Sequence, residues 1–254
     1  MEGQALAINE QRFAANLKNV VSSDTHGDVT AGNVAELMKF IPGVAIVEGG
    51  DGNANQVAVR GLDAALTNVS MDGAQVAHAA NGGNTRAFDF KGVNINSIAR
   101  VEITKVPLPS SPADSLGGSV NMVSKSAFEL NRAEFRYRTY LSMNGEDFTL
   151  RQTPFPFENR TYKAIPGFDV TYTKPVSENF GFVVNAASNI AYNVQDLDTM
   201  TWSGAGTGTG ATPDRPYLQS YGFVEAPKYI WRQAGSTKLD WRVTPNSVLS
   251  LNLL

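Results

Sequence analysis

The chain has 254 residues, and its 24 acidic against 21 basic side chains leave a net charge of −3, which offers nucleic acid no electrostatic foothold. Charged residues make up 18% and hydrophobic ones 42%. No run approaches the roughly 18 apolar residues of a membrane-spanning helix, although a β-barrel, which needs only alternate apolar residues, stays open. The absence of cysteine excludes disulfides, thiol nucleophiles and cysteine-built metal clusters.

Residues 1–127 read as a small α+β domain that holds the whole net charge, nine basic residues against twelve acidic. Met1-Glu2-Gly3 opens without a basic or apolar leader pattern, which suits a cytoplasmic protein or a piece of something longer. Residues 33–41 are expected to be helical. Asn33 can cap, Glu36 completes a capping-box-like pair, and Val34, Leu37, Met38 and Ile41 make one apolar face before Pro42-Gly43 stops it. Short strands are expected at 44–48 and 56–60 around the turn-rich 48–53, at 68–71 and 75–78 around the hairpin signal Asp72-Gly73, and at 100–106 and 119–124.

From residue 128 the pattern turns to alternation with period 2. Five strands are expected, each of about the 9 to 11 residues that cross a bilayer. Phe135, Tyr137, Leu141 and Met143 oppose Arg136, Arg138, Tyr140 and Ser142; Phe180, Phe182, Val184 and Ala186 oppose Asn185 and Asn189; Trp231, Leu239 and Trp241 oppose Arg232, Lys238 and Asp240. Tight turns at 174–179 and 244–247 alternate with long polar loops at 145–166 and 194–228. This matches the short periplasmic turns and long external loops of outer-membrane barrels, with Phe168, Phe180, Tyr192, Tyr229 and Trp241 placed for interfacial girdles. A soluble β-sandwich shares the alternation. The last segment, 247–254, alternates with no turn after it, so a fragment is the expectation.

These residues resemble the TonB-dependent outer-membrane receptors, an N-terminal plug followed by the first barrel strands. The resemblance rests on Asn33-Val-Ala-Glu36, Ile41-Pro-Gly-Val44, Val57-Ala-Val-Arg-Gly-Leu62, Val69-Ser-Met-Asp-Gly73, Ile98-Ala-Arg-Val-Glu-Ile103 and Gly117-Gly-Ser-Val-Asn-Met-Val-Ser-Lys125, six blocks in order. Two departures stand out. Lys105-Val-Pro107 replaces the Arg-Gly-Pro common in the family, and the first dozen residues show no TonB box, the coupling peptide. The resemblance implies a plug at 1–127 and a truncated part of a transmembrane β-barrel at 128–254, sited in the cell outer membrane. The implied partners are outer-membrane lipid, the TonB complex and a scarce extracellular solute such as an iron chelate, cobalamin or an oligosaccharide. It also implies that Arg60 and Arg100, expected in strands of the core sheet, pair with barrel glutamates. Solute-facing loops are implied at 49–55, 62–67 and 74–90, with Asp51, Asn53, Asn55, Asp63, His78, Asn81, Asn84 and Arg86, and Trp202 in an external loop could stack on a sugar face.

No enzyme, cofactor or metal is expected. Two histidines lack a ligand spacing, the glycine-rich 204–210 does not join a strand to a helix, and the carboxylate pair Asp196 and Asp198 is expected in a polar loop, which does not support glycosidase chemistry. The alternative to a receptor is a soluble or secreted β-rich binding or adhesion protein with an α+β head.

Overall fold

The computed structural model describes residues 2–23, 32–49, 53–76, 85–145, 148–153, 162–205 and 210–253. It opens with a helix absent from the expected elements, α1 (Glu2–Phe13), built largely from the good helix formers Ala, Leu, Gln and Glu. α1 lies against β1 (Lys18–Ser22), where Val20 N–H donates to Gln11 Oε1 at 3.3 Å.

The expected helix at 33–41 is shorter, α2 (Val34–Met38). Asn33 caps it, its Oδ1 accepting from Ala35 N–H at 2.9 Å and its Nδ2 donating to the Ala54 carbonyl at 2.6 Å. Glu36 does not close a capping box and pairs with Lys39 at 2.9 Å instead. After Met38 the chain tightens to i→i−3 bonds, Ile41 N–H to the Met38 carbonyl at 3.1 Å, so the helix ends one turn early while Ile41 stays buried. Next come the hairpin β2 (Val44–Glu48) and β3 (Ala54–Val59), then β4 (Thr67–Met71) and β5 (Ala74–Gln75) around Asp72 and Gly73, whose φ values of +49° and +80° fit a two-residue hairpin turn. β6 (Ile98–Thr104) and β7 (Gly118–Ser124) complete a sheet ordered β1-β6-β7-β4-β5, in which only the β4–β7 pair is parallel. Alternate apolar residues of its central strands (Val101, Ile103, Val120, Met122, Val69) meet Leu37, Met38, Val57, Val59 and Phe90 in one core.

A second sheet follows, an antiparallel meander of β8 (Glu134–Ser142), β9 (Ile165–Pro175), β10 (Phe180–Ser203), β11 (Tyr217–Thr244) and β12 (Ser247–Leu253). The long loop expected at 194–228 is corrected. β10 and β11 run 24 and 28 residues and pair as far as Ser203 with Tyr217. The sequence there, Asp-Leu-Asp-Thr-Met-Thr-Trp, still alternates, but it has no continuous oily face. Strand pairing persists because the backbone ladder does not require one.

Register sorts the side chains of this sheet. One face holds Arg136, Arg138, Asp169, Thr171, Asn185, Asn189, Ser236, Lys238, Asp240 and Ser250, joined by bonds such as Thr171 Oγ1 to Asn185 Oδ1 (2.9 Å), Asn185 Nδ2 to Ser236 Oγ (3.1 Å) and Arg138 to Asp169 (2.6 Å). The other face exposes Phe135, Tyr137, Phe168, Val184, Trp231, Leu249, Leu251 and Leu253. On that face Trp241 sits opposite Phe180 and, twelve residues back along β11, Tyr229 is exposed opposite Tyr192, which is itself buried at 4% with Lys163 Nζ 5.5 Å from its ring centroid and so does not face outward as expected. At about 3.3 Å per residue and a tilt near 45°, these aromatic rungs stand about 28 Å apart, close to the apolar band of an outer-membrane barrel at about 25 Å.

Candidate functional site

The α+β domain rests on the polar face of the meander through a seam of hydrogen bonds. Asp72, in its left-handed turn, accepts at Oδ1 from Ser124 N–H (2.8 Å) and at Oδ2 from Ser124 Oγ–H, binding the β4–β5 turn to the end of β7. Lys238 of β11 donates to Ser124 Oγ at 2.7 Å and stands 3.8 Å from the Asp72 carboxylate. One rung away, Asp240 is 1% exposed and accepts from Ser126 Oγ–H (2.7 Å) and from Ser250 Oγ–H of β12 (2.6 Å). Farther along β11, Arg232 Nε–H donates to the Lys91 carbonyl at 3.2 Å. Gly181 makes the lower seam possible, since a Cβ there would lie 2.6 Å from that of Ala127. Asp72, Ser124, Ser126, Lys238 and Asp240 were not singled out as functional residues from sequence. The sequence marks Asp72 as a turn residue, sets Ser124 in a plug block and gives Lys238 and Asp240 as the polar side of an alternating strand, but which partner each meets depends on how the two sheets dock.

Inside the α+β domain the charges gather on Glu102, 7% exposed on β6. It accepts from Lys18 Nζ–H (2.7 Å), Arg100 Nε–H (3.0 Å) and Asn121 Nδ2–H (3.4 Å). Burial by itself would raise the Glu102 carboxyl, but the hydrogen bond and charge of Lys18, with Asn121 and Arg100 behind it, outweigh burial and hold it below the ordinary carboxylate value.

The expected site residues are spread over the domain. Arg100 is in β6 as expected and, besides Glu102, stands 3.8 Å from Glu129. Arg60 is not in a core-sheet strand. It follows β3 in a left-handed turn (φ +60°), exposed, with Nη1 donating to the Lys105 carbonyl at 2.8 Å. The pair Arg60-Gly61 turns the chain sharply there, so β3 stays in its own hairpin with β2. Asn53 closes the tip of that hairpin, its carbonyl accepting from Gly49 N–H at 2.9 Å, and Asn55 has a buried Oδ1 with no partner among the described residues. Asp63 caps the 3-10 turn Ala64–Leu66. Arg86 is exposed and lines a cavity with Thr67, Asn68, Gln75 and Asp114. Trp202 is 57% exposed near the end of β10, opposite Leu218 and so in a strand rather than a loop. Asp51, His78, Asn81 and Asn84 lie outside the described residues. Of the cavities described here, none is lined by two of these candidates. Among the described residues, no group of three or more His, Cys, Asp or Glu side chains is placed to hold a metal.

The comparison that decides the domain's identity is with family models, where residues 10–119 match the TonB-dependent receptor plug domain. The chain carries a TonB-dependent receptor plug domain. Its relatives agree. The chain is 28% identical over 128 residues to the vitamin B12 transporter BtuB of Photobacterium profundum (47% of this chain, 20% of that protein). It is 29% identical over 147 residues to transferrin-binding protein A of Neisseria meningitidis serogroup B (54% and 16%). The chain thus spans about a fifth of the length of these curated relatives. Two solved structures share the fold of plug and strands together at 14% identity. The siderophore receptor PirA of Acinetobacter baumannii has a TM-score of 0.59 over 96% of this chain and 31% of its own. The Serratia marcescens hemophore receptor HasR, in complex with its hemophore HasA and heme, has a TM-score of 0.60 over 96% and 32%. The plug therefore sits against antiparallel strands that correspond to part of a barrel wall.

Proposed function

We propose that this chain is part of an energised outer-membrane receptor that binds a scarce solute outside the cell and admits it when the plug is moved from the periplasmic side. The observation that carries this reading is the plug's seat. A polar seam (Asp72, Ser124, Lys238, Ser126, Asp240) joins the plug to the wet face of a sheet whose other face is apolar and framed by aromatic rungs. Hydrogen bonds of this kind hold a plug in register and break one at a time when it is pulled, whereas a fused apolar core would resist release as a unit. The exposed Leu249, Leu251 and Leu253 fit lipid and disfavour a soluble binding or adhesion protein.

In this reading residues 1–127 are the plug and 128–254 part of the barrel. Arg60, with its guanidinium exposed, and Arg100 are the plug cations that meet barrel carboxylates. Asn53, Asn55, Asp63, Arg86 and Trp202, with Asp51, His78, Asn81 and Asn84, are the solute-facing groups. The solute is an iron chelate, cobalamin or an oligosaccharide, the TonB complex supplies the force, and the protein carries out transport without covalent chemistry. The test is uptake by cells that express the protein, with and without a working TonB complex, under iron limitation, cobalamin limitation and growth on oligosaccharides. One of the three is expected to depend on both the protein and TonB. Recovery of the protein from the soluble fraction, or growth indifferent to TonB in all three, would refute the reading.

A further inference from the structure

Strands β10 and β11 outrun their neighbours. β10 pairs with β9 from Gly181 to Ser188 only, but with β11 as far as Ser203 and Tyr217. The far part of the pair is therefore a two-stranded ribbon. Residues 196–202 of β10 are all exposed, as are 217–221 and 223–225 of β11, so neither face of it is covered. Along 196–203 the side of β10 turned away from β11 has no hydrogen-bond partner among the described residues. Alternate residues of an antiparallel strand turn both backbone groups to the same neighbour, so about half of this stretch offers N–H and C=O groups to the open side. Further barrel strands cannot fill it, because β9 and β8 already take that side of β10. One face of the ribbon has a distinct composition. Register places Asp196 opposite Glu225, Asp198 opposite Phe223 and Met200 opposite Tyr221, and alternation puts all six on the same side. Met200, Phe223 and Tyr221 are 57%, 72% and 53% exposed. Asp196 and Glu225 are like charges directly across the ladder, which costs stability, and the three carboxylates form no ion pair among the described residues.

An isolated two-stranded ribbon is marginally stable in water, and this one carries an open edge, an apolar cluster and uncompensated negative charge side by side. We propose that the ribbon is a docking arm for a cationic extended segment of another protein, which adds as a third strand along β10. Such a strand sets its alternate side chains on the same face, about 5 Å from those of β10. One segment can therefore satisfy the open backbone, place lysine or arginine beside Asp196 and Asp198, and rest an apolar side chain on Met200. A second copy of this chain would bring the same three carboxylates to the same place and is disfavoured by like charge. Lipid is disfavoured as well. At 3.3 Å per residue and a 45° tilt the six residues stand about 9 to 19 Å beyond the Tyr229 rung, and lipid offers no donors to an open edge. The assignment stands on the ribbon and does not depend on solute uptake, so the two can fail separately.

The test is fluorescence anisotropy of a labelled peptide on the intact protein in detergent micelles. The probe is acetyl-Val-Thr-Val-Thr-Lys-Thr-Lys amide, whose lysines fall beside Asp198 and Asp196 when it runs antiparallel to β10. It is expected to bind, and N-methylation of every second backbone amide to weaken it roughly tenfold or more in one of the two alternating sets, the set that meets β10. Replacing both lysines by glutamine is expected to weaken binding, and by glutamate to abolish it. The double variant Asp196→Asn, Asp198→Asn should bind the lysine and glutamine peptides alike, and since both residues are exposed its fold is not at issue. No binding at millimolar concentration overturns the assignment, as does equal affinity for the parent and both N-methylated peptides. A lysine preference that survives in the double variant overturns it too. Light scattering is expected to show a monomer in micelles, and a dimer that is lost in Met200→Lys would make a second copy the occupant and overturn the assignment.

Discussion

Replacing Glu102 by glutamine leaves the shape of the plug sheet intact and removes the charge on which Lys18 and Arg100 converge at 2.7 and 3.0 Å. Breaking a fully buried ion pair costs about 3–5 kcal/mol. Both cations keep 21% of their side-chain surface in contact with water, so the expected loss is smaller, about 2–3 kcal/mol. Amide hydrogen exchange measured over β1 and β6 reads this directly. At 1.36 kcal/mol per factor of ten, exchange should speed up about 30- to 150-fold in Glu102→Gln. The pH dependence supplies an independent sign. The folded carboxyl is held below its unfolded value, so its contribution is complete above the ordinary carboxylate range and is lost as pH falls through the depressed folded value. Protection in the wild type should therefore fall in acid, while Glu102→Gln stays level across that window. Exchange within twofold of wild type at neutral pH, or the same acid response in both proteins, would refute the reasoning.

Gly118→Ala would place a Cβ 2.7 Å from the Thr104 carbonyl oxygen at a φ of +142°, and is expected to cost about 2–3 kcal/mol of stability, read as a lower midpoint in denaturant. Ser126→Ala removes the plug-side bond to Asp240 while Ser250→Ala removes a bond within the barrel sheet. Proteolysis between residues 127 and 133 should rise roughly tenfold in the first and stay near wild type in the second, and equal rates would argue against the seam. On the outward face, Leu253→Arg, level with Val184, is expected to cost about 2 kcal/mol when the protein folds into lipid vesicles, and Leu249→Arg, beside the Trp241 rung, about 1 kcal/mol or less. A cost that does not change with depth would mean that this face does not meet lipid.

Much of the architecture can be read from local pattern. The alternation of Phe180, Phe182 and Val184 with Asn185 and Asn189 already separates an oily face from a wet one, because side chains on a strand point to opposite sides by geometry alone. Asp72-Gly73 announces its hairpin since few other pairs accept two positive φ values, and the six plug blocks carry the family. Beyond residue 193 the local pattern is less informative, because a strand with polar residues on both faces looks like a loop until its partner is known. Helix α1 has little local signature because propensity without a strong apolar periodicity is weak evidence.

The site is less legible. Arg86 stands out by its chemistry, whereas Thr67, Asn68 and Asp114, which share its cavity, lie up to 47 residues apart in sequence (67 to 114) and look like ordinary turn and strand residues. Arg100 stands out too, but nothing local shows that it bonds Glu102, two residues away in the same strand, and approaches Glu129. The sequence by itself determined which faces are wet, where the chain turns and which family the plug belongs to, since each depends on neighbours a few residues apart. Only the tertiary structure decided that Lys238 meets Ser124 and Asp72, that Asp240 meets Ser126, and that the buried oxygens of Asn55, Thr67 and Asp114 are left without donors among the described residues. Those outcomes depend on the docking of two separate sheets and on long-range strand order, which no local spacing encodes.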